Sequence, residues 1–316
     1  MLRHLLAVAV SLCALAAQAQ SWPSRPVHLI VPYPPGGSTD VTARALAERL
    51  SGALGQNVLV ENRAGAGGNI GIEAAAKSAA DGYTVLIAPD FIASAPHVYR
   101  LNYDPMTQLV PVIQLTSQPV VLAVHPSLGV QSVAELVALA KQKPGLAYAT
   151  SGAGSQQHMA AEWFAKLAGI QLTHVPYKGG GQAIADFIGG QVPIASLGST
   201  PVIPHHKAGK VKIIAQTTHK RAPSLPEVPT YEEAGMQGLV IDQWLGVFVP
   251  AGTDAAIVRR LAAEFDKALA DAGLRERLAK AALETVGGST EAFAQLVRGN
   301  FEMYRKLVAD LKIRVD

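Results

Sequence analysis

The chain has 316 residues, of which 49% are hydrophobic and 16% are charged, and it contains 29 glycines and 20 prolines. This length predicts about two domains, and the apolar content argues against intrinsic disorder, which combines few apolar residues with excess charge. The formal net charge of +3 is small and the Lys and Arg residues are scattered, so no nucleic-acid partner is expected.

The first 19 residues have the pattern of an export signal. A basic start is followed by an apolar stretch from Leu5 to Ala17 and by Ala17-Gln18-Ala19, a cleavage site of the A-x-A type. At about 13 residues the stretch is too short to cross a hydrocarbon core of about 30 Å. We predict cleavage after Ala19, with a lipoprotein signal ending at Cys13 as the alternative. The mature protein would then lack cysteine and fold in the periplasm without disulfides.

The chain after the signal alternates strands and helices. Strands are expected at 27–31, 58–62 and 83–88, with helices at 41–54 and 69–79 between them. Ser38, Thr39 and Asp40 offer caps for the first of these helices, and Gly55 has the position of a glycine that ends it. The β-α-β-α-β order predicts a parallel sheet with helices on its faces.

The same alternation restarts near residue 125. Further strands are expected at 120–125, 146–149, 172–175, 192–197, 211–216 and 244–249, and further helices at 132–142, 156–167, 182–188, 255–270, 274–283 and 289–311. We therefore predict a second domain at 123–245 and a discontinuous first domain at 22–122 plus 246–316. A ligand cleft would lie between them, with hinge strands at 120–124 and 244–249.

Two glycine-rich loops connect a predicted strand to a predicted helix. Ligands of open α/β sheets bind beyond the carboxyl ends of the strands, and a helix amino terminus offers free N–H groups and a partial positive charge. Two such ends that face each other would hold an anion without basic side chains; the alternative is that both are ordinary turns. A carboxylate would repel an anion, so Asp40 is expected to orient the loop or act through water. The candidate residues are Gly36, Gly37, Ser38, Thr39 and Asp40 in one loop and Ser151, Gly154, Ser155 and Gln156 in the other.

The sequence carries no evident catalytic or metal-binding motif. It lacks the G-x-S-x-G, H-E-x-x-H and Walker A patterns, and the loop at 65–71 departs from a dinucleotide fingerprint because Ile70 stands at the third glycine. His158 and Glu162 are spaced as a pair on one helix face, whereas a zinc site needs at least three protein ligands. The adjacent His205 and His206 are expected in a solvated turn. No enzyme activity, cofactor or metal is therefore expected.

Several segments form an ordered set along the chain. They are Tyr33-Pro34-Pro35-Gly36-Gly37-Ser38-Thr39-Asp40 and the segments at 60–71, 81–84, 103–105, 151–155, 174–179, 190–192, 208–210, 226–230, 244–246 and 250–253. This set resembles the Bug-type (TctC-like) extracytoplasmic solute receptors of tripartite tricarboxylate transporters, and the resemblance covers essentially all of residues 22–316.

The resemblance implies a two-lobed α/β protein with the type II periplasmic-binding-protein fold, each lobe a mostly parallel sheet flanked by helices. It implies a small carboxylate ligand held in the cleft and delivery to a small and a large membrane subunit of a transporter. The two glycine-rich loops would then hold one carboxylate. Further family contacts correspond to Tyr33 at the cleft mouth, although core packing is an equal alternative, and to Pro89, Asp90, Gly198, Ser199 and Thr200.

Two of these loops depart from the usual family pattern, at Pro89-Asp90 and at 194–200. We hypothesise that Asp90 points into the cleft and pairs with a cationic or proton-donating group, as in an amino acid; the alternative is that it caps a turn. The protein is thus expected to be a monomeric periplasmic receptor for a small organic acid or amino acid. A ligand sensor for a signalling kinase, or a secreted hydrolase or isomerase using the same cleft, are the alternatives.

Overall fold

The computed structural model describes residues 22–313, so the predicted export signal, its Cys13 alternative and residues 314–316 of the predicted first domain lie outside the described residues. The described strands are β1 Val27–Val31, β2 Val58–Asn62, β3 Thr84–Pro89, β4 Leu109–Val124, β5 Leu146–Thr150, β6 Leu172–Pro176, β7 Ile194–Gly198, β8 Lys212–Gln216, β9 Asp242–Pro250 and β10 Glu284–Thr285. The described helices are α1 Ser38–Leu54, α2 Asn69–Ala76, α3 Phe91–Val98, α4 Pro105–Gln108, α5 Val133–Gln142, α6 Gln156–Ala168, α7 Gly180–Ile188, α8 Ser199–Lys207, α9 Ala255–Ala270, α10 Ala272–Lys280 and α11 Thr290–Leu311.

The strand β4 belongs to both halves of a continuous curled sheet with the order β2-β1-β3-β9-β4-β7-β5-β6. It pairs with β9 as far as Pro119, and from Val120 onward it pairs with β7 and β8. Each lobe was predicted to have a mostly parallel sheet. The strands pair in parallel within β2-β1-β3 in one half and within β7-β5-β6 in the other, and the pairings between these groups are antiparallel. The α/β fold is confirmed, and each half is a mixed sheet.

Each half of the sheet is covered on both faces by helices or loops and has its own hydrophobic core. In the first half Leu29 and its neighbour Ile30 belong to opposite clusters, because successive strand residues face opposite sides. Val121 and Leu122 divide in the same way between the two clusters of the second half. Two cores on one shared strand give the molecule two lobes; the domain boundaries at 122/123 and 245/246 stay a prediction.

The last helix, α11, packs across both halves. Its Tyr304 shares a buried cluster with Val98 of α3, which follows β3, and with Met159 of α6, which follows β5. Among the described residues, none of the helices is both long enough and apolar enough to cross a membrane.

The structure corrects several boundaries. The prediction of β4 began at residue 120, because Pro111, Pro119 and intervening polar residues obscure its strand pattern, whereas the strand starts at Leu109 and has register shifts along its length. The helix α3 was not predicted, since its mostly buried sequence has no polar face. His205 and His206 lie in the last turn of α8 rather than in a solvated turn.

Candidate functional site

A cavity of about 590 Å³ lies between the two lobes, beyond the carboxyl ends of several strands. Most of the predicted site residues line it: Tyr33, Gly36, Gly37, Ser38, Thr39, Pro89, Ser151, Ser155, Gln156, Gly198 and Thr200. Four predicted residues, Asp40, Asp90, Gly154 and Ser199, do not line it, and each has other partners described below. The remaining lining residues are Pro34, Pro35, Phe91, Gln118, Gln157, Lys178, Gly179, Gly180, Gly181, Gln182, Pro201 and Gln243.

Four helices begin at the wall of this cavity. They are α1 from the first lobe and α6, α7 and α8 from the second, and the residues at their starts are lining residues or immediate neighbours of one. The first N–H groups of a helix have no partner within that helix, and the aligned peptide dipoles give its amino terminus a partial positive charge. The arrangement is therefore suited to an anion.

The side chains of the cavity agree with this electrostatic character. Of the described residues that line it, none is an aspartate or glutamate, and Lys178 is the one with a charged side chain. Gln156 at the start of α6 is 1% exposed, and its Nε2 has no hydrogen-bond partner among residues 22–313. An unpartnered buried amide is costly in isolation, so it is suited to an acceptor that enters the cavity.

Asp40 lies outside the cavity lining and holds the first loop in place through hydrogen bonds. Its carboxylate accepts hydrogen bonds of 3.0 Å from Gly36 N, Arg44 Nε and Asn62 Nδ2. Burial would raise the pKa of this carboxyl, but the hydrogen bonds from Arg44, Gly36 and Asn62 together with the charge of Arg44 lower it. The predicted loop-orienting role fits this geometry. The helix itself begins at Ser38, three residues before its predicted start at residue 41, and its N-cap is Gly37 instead of one of the predicted cap residues.

The second loop is closed by Ser155 and by His158. Ser155 Oγ accepts from His158 N at 3.2 Å and lies 2.7 Å from the carbonyl oxygen of Gly152, to which it donates. Gly154 N donates to His158 Nδ1 at 3.1 Å. Gly154 has a φ of +72°, and a Cβ there would lie 2.8 Å from Val98, so a side chain is excluded by both conformation and space. Gly154 thus shapes the loop and packs against α3.

His158 is a buried neutral residue. Its ring stacks on His174 with centroids 3.8 Å apart, and burial lowers the pKa of His158 to about 3 and that of His174 to about 4. Glu162 lies 4.0 Å from Nε2, as expected for a pair on one helix face. Within the described residues no cluster of three or more His, Cys, Asp or Glu side chains is placed to hold a metal ion.

Asp90 does not have the orientation that the sequence suggested. Its side chain is fully buried and turned toward α11, where its Oδ2 accepts a hydrogen bond of 2.8 Å from the Tyr304 hydroxyl. Its flanking residues Pro89 and Phe91 face the cavity instead. Asp90 occupies the N-cap position of α3 without a side-chain capping bond, so it neither enters the cleft nor caps a turn. Burial raises the pKa of this carboxyl well above its usual value.

Ser199 is also fully buried, and its Oγ lies 3.4 Å from Oε1 of Gln118, to which it donates. Sequence reasoning missed Gln118 and Gln243, which line the cavity from β4 and β9. The sequence held one signal for Gln118. It stands directly before Pro119 and a predicted apolar strand, so its side-chain amide is expected to be buried and to need a hydrogen-bond partner. Sequence reasoning also missed Lys178, which precedes the predicted glycine turn before α7.

An interlobe cavity lined by helix amino termini, between two α/β lobes, defines a solute-binding protein of the periplasmic type. Residues 42–313 match the family described as "Tripartite tricarboxylate transporter family receptor". The chain belongs to this family, and the resemblance stated from the sequence is confirmed.

Named relatives agree with this assignment. The chain is similar to protein BugT of Bordetella pertussis, with 39% identity over 279 residues, which cover 86% of this chain and 85% of BugT. Its structure is similar to R. palustris Rpa4515 with adipate (TM-score 0.89, 36% identity, 93% of this chain and 100% of the other). It is also similar to MatC from Rhodopseudomonas palustris with bound malate (TM-score 0.85, 29% identity, 91% and 100%). The family is described as a family of receptors, so the chain is a receptor and not an enzyme.

Proposed function

We propose that the protein is an exported periplasmic receptor that captures a small carboxylate in the interlobe cavity and delivers it to a tripartite secondary transporter. The observation that supports this most directly is the convergence of four helix amino termini on a cavity whose lining, among the described residues, includes no acidic side chain. In this proposal the lobes are residues 22–122 plus 246–316 and residues 123–245. They close about β4 and β9 near 120–124 and 244–249.

The groups that would bind a carboxylate come from both lobes. The first lobe contributes N–H groups and hydroxyls of Ser38 and Thr39, and the second contributes the start of α6 with Gln156. Adipate and malate in the two similar structures are small dicarboxylates, and their chemistry suits a site made of donors. An amino acid would bring an ammonium group for which the described lining offers no carboxylate, so we favour an organic acid.

The proposal is tested by ligand binding to the purified protein. Thermal unfolding and calorimetry are measured with monocarboxylates, dicarboxylates, hydroxy acids, aromatic acids and amino acids. A ligand at a hundredfold excess over its Kd stabilises the native state by about 2.7 kcal/mol. Two results would contradict the proposal: binding of amino acids but of no other acid, or binding of none of the acids tested.

A charge variant locates the site. Gln156→Glu places a carboxylate at the start of α6 and should weaken carboxylate binding at least about a hundredfold, because like charges in contact cost several kcal/mol. Gln142→Glu makes the same change at the exposed end of α5, at a residue that is not part of the cavity lining, and should leave affinity unchanged. Equal affinity of both variants for the bound acid would place binding elsewhere.

The cellular role is tested with a gene deletion. Loss of uptake of the bound acid, restored by the intact gene, supports delivery to a small and a large membrane subunit. Intact uptake with a lost transcriptional response would instead support a sensor for a signalling kinase. Cell fractionation and mass spectrometry test export, for which we expect a periplasmic, monomeric protein that begins at Gln20.

A further inference from the structure

Two glutamines form one unit in the wall of the cavity, where β4 and β9 run side by side. Gln118 and Gln243 are register partners on these strands, and both are buried. Gln118 Nε2 donates a hydrogen bond of 3.1 Å to Gln243 Oε1. Because the residues are 125 positions apart, only the folded chain brings the two amides together.

The orientation of this unit is fixed from one side. Gln118 Oε1 accepts from Thr200 N at 3.2 Å and from Thr200 Oγ1 at 2.7 Å. A backbone N–H can only donate, so the oxygen of the Gln118 amide must face α8 and its NH₂ group must face Gln243. Gln243 therefore presents its own oxygen to Gln118. Gln243 lines the cavity, and its NH₂ group has no hydrogen-bond partner among the described residues, so it is available to a ligand.

Gly198 supplies the space that the unit needs. A Cβ at this position would lie 2.5 Å from Gln243 Oε1 and 3.0 Å from Gln118 Nε2. The φ of Gly198 is −59°, which any residue can adopt. The glycine is thus required for room beside the two amides and not for backbone conformation.

We propose that Gln243 is a specificity-determining ligand contact, whose amide donates to an acceptor oxygen on the ligand other than the carboxylate held by α1 and α6. Gln118, Thr200 and Gly198 act as positioning residues for it. The inference rests on the proposed function and adds a ligand class to it. The bound acid carries a second acceptor oxygen, in a carboxylate or a hydroxyl, and a simple fatty acid lacks the group that Gln243 binds.

The test compares acids that differ by one acceptor. Adipate and hexanoate differ by a carboxylate, and malate and succinate differ by a hydroxyl, so the two pairs distinguish the two sources of the oxygen. Calorimetry of the wild-type protein should show tighter binding of the acid that carries the additional acceptor group, adipate or malate, within at least one pair. In Gln243→Met, which keeps the length but removes the donor, that preference should fall about tenfold or more, the scale of a hydrogen bond to a charged group.

A second variant and a control complete the design. Gly198→Ala adds no polar group but crowds the amide pair, so it should reduce the same preference even if Gln243→Met folds poorly. Gln142→Met, at an exposed position on α5, should change nothing. A preference that is unchanged in both cavity variants, with affinity intact, overturns the role of Gln243 and leaves the receptor function standing. If the wild-type protein binds no small carboxylate at all, the proposed function fails and this inference fails with it.

Discussion

The hydroxyl of Tyr99 donates a hydrogen bond of 2.7 Å to the carbonyl oxygen of Ala153. Tyr99 directly follows α3 of the first lobe, and Ala153 belongs to the glycine-rich loop of the second. Five residues earlier, Ser94 Oγ donates to the carbonyl oxygen of Gly154 at 2.9 Å. The two bonds join the lobes beside the cavity, and their acceptors belong to the second lobe's candidate binding loop.

We expect Tyr99→Phe and Ser94→Ala each to weaken binding of an acid that the wild-type protein binds. Each change removes one interlobe hydrogen bond, worth about 0.5–1.5 kcal/mol net, and should raise Kd about 2- to 10-fold. Calorimetry measures the change. Tyr83→Phe is the control. It removes a hydroxyl that accepts a hydrogen bond from Ser24 N, and neither residue belongs to the two glycine-rich loops. Unchanged Kd values for the two lobe-joining variants would show that these bonds do not stabilise the bound form.

The buried Asp90–Tyr304 pair predicts a pH-dependent difference in stability. The pKa of Asp90 is raised on folding, mainly by burial. Its stabilising contribution is therefore present at low pH and is lost as pH rises from the usual aspartate value through the raised one. Asp90→Asn, which is always neutral, should gain stability relative to wild type as pH rises, measured by urea unfolding from pH 4.5 to 8. A pH-independent difference would contradict a protonated Asp90.

Asp40 should show the opposite dependence. Burial acts to raise its pKa, but the bonds from Arg44, Gly36 and Asn62 outweigh it and lower the folded pKa. Its contribution is present at neutral pH and is lost as pH falls through that lowered pKa. Asp40→Asn should cost about 1–3 kcal/mol at pH 7, and the cost should shrink in acid. Asp81→Asn, in the exposed pair with Arg25, should cost at most about 1 kcal/mol; equal costs would contradict the prediction.

Two helical glycines should respond in opposite directions to alanine. At Gly71 in α2 a Cβ would lie 2.6 Å from the carbonyl oxygen of Arg63 and 2.7 Å from the Cα of Pro32. These are backbone atoms, so Gly71→Ala should cost about 1–3 kcal/mol through crowding. At Gly52 in α1 nothing lies within 4 Å, and Gly52→Ala should stabilise by about 0.5–1 kcal/mol. Urea unfolding measures both, and a neutral Gly71→Ala would show that the loop before α1 can shift freely.

The sequence predicted the loops of the site because strand-to-helix loops at one sheet edge share a place in space. Gly37, Thr39 and Gln156 follow from that rule. The direction of Asp90 does not, since its partner Tyr304 is 214 residues away. Nor does the Gln118–Gln243 unit, which depends on the antiparallel register of β4 and β9.

The same limit explains β4. Proline is rare inside sheets because it lacks an N–H group, so Pro111 and Pro119 suggested that the strand starts later. Pro111 lies next to a register shift, and Pro119 lies where the strand changes partners. Both positions tolerate a missing donor, but only the assembled sheet reveals them.

The four helix amino termini around the cavity affect how anion binding should depend on salt, because their peptide dipoles are fixed in the backbone. Salt screens the attraction between exposed charges that lie farther apart than the Debye length, about 8 Å at physiological ionic strength, whereas buried or partly buried charges are screened much less. An anion enclosed between the helix amino termini, with Lys178 as the one charged side chain in the described lining, should therefore lose less affinity with rising salt than an anion bound by exposed basic side chains.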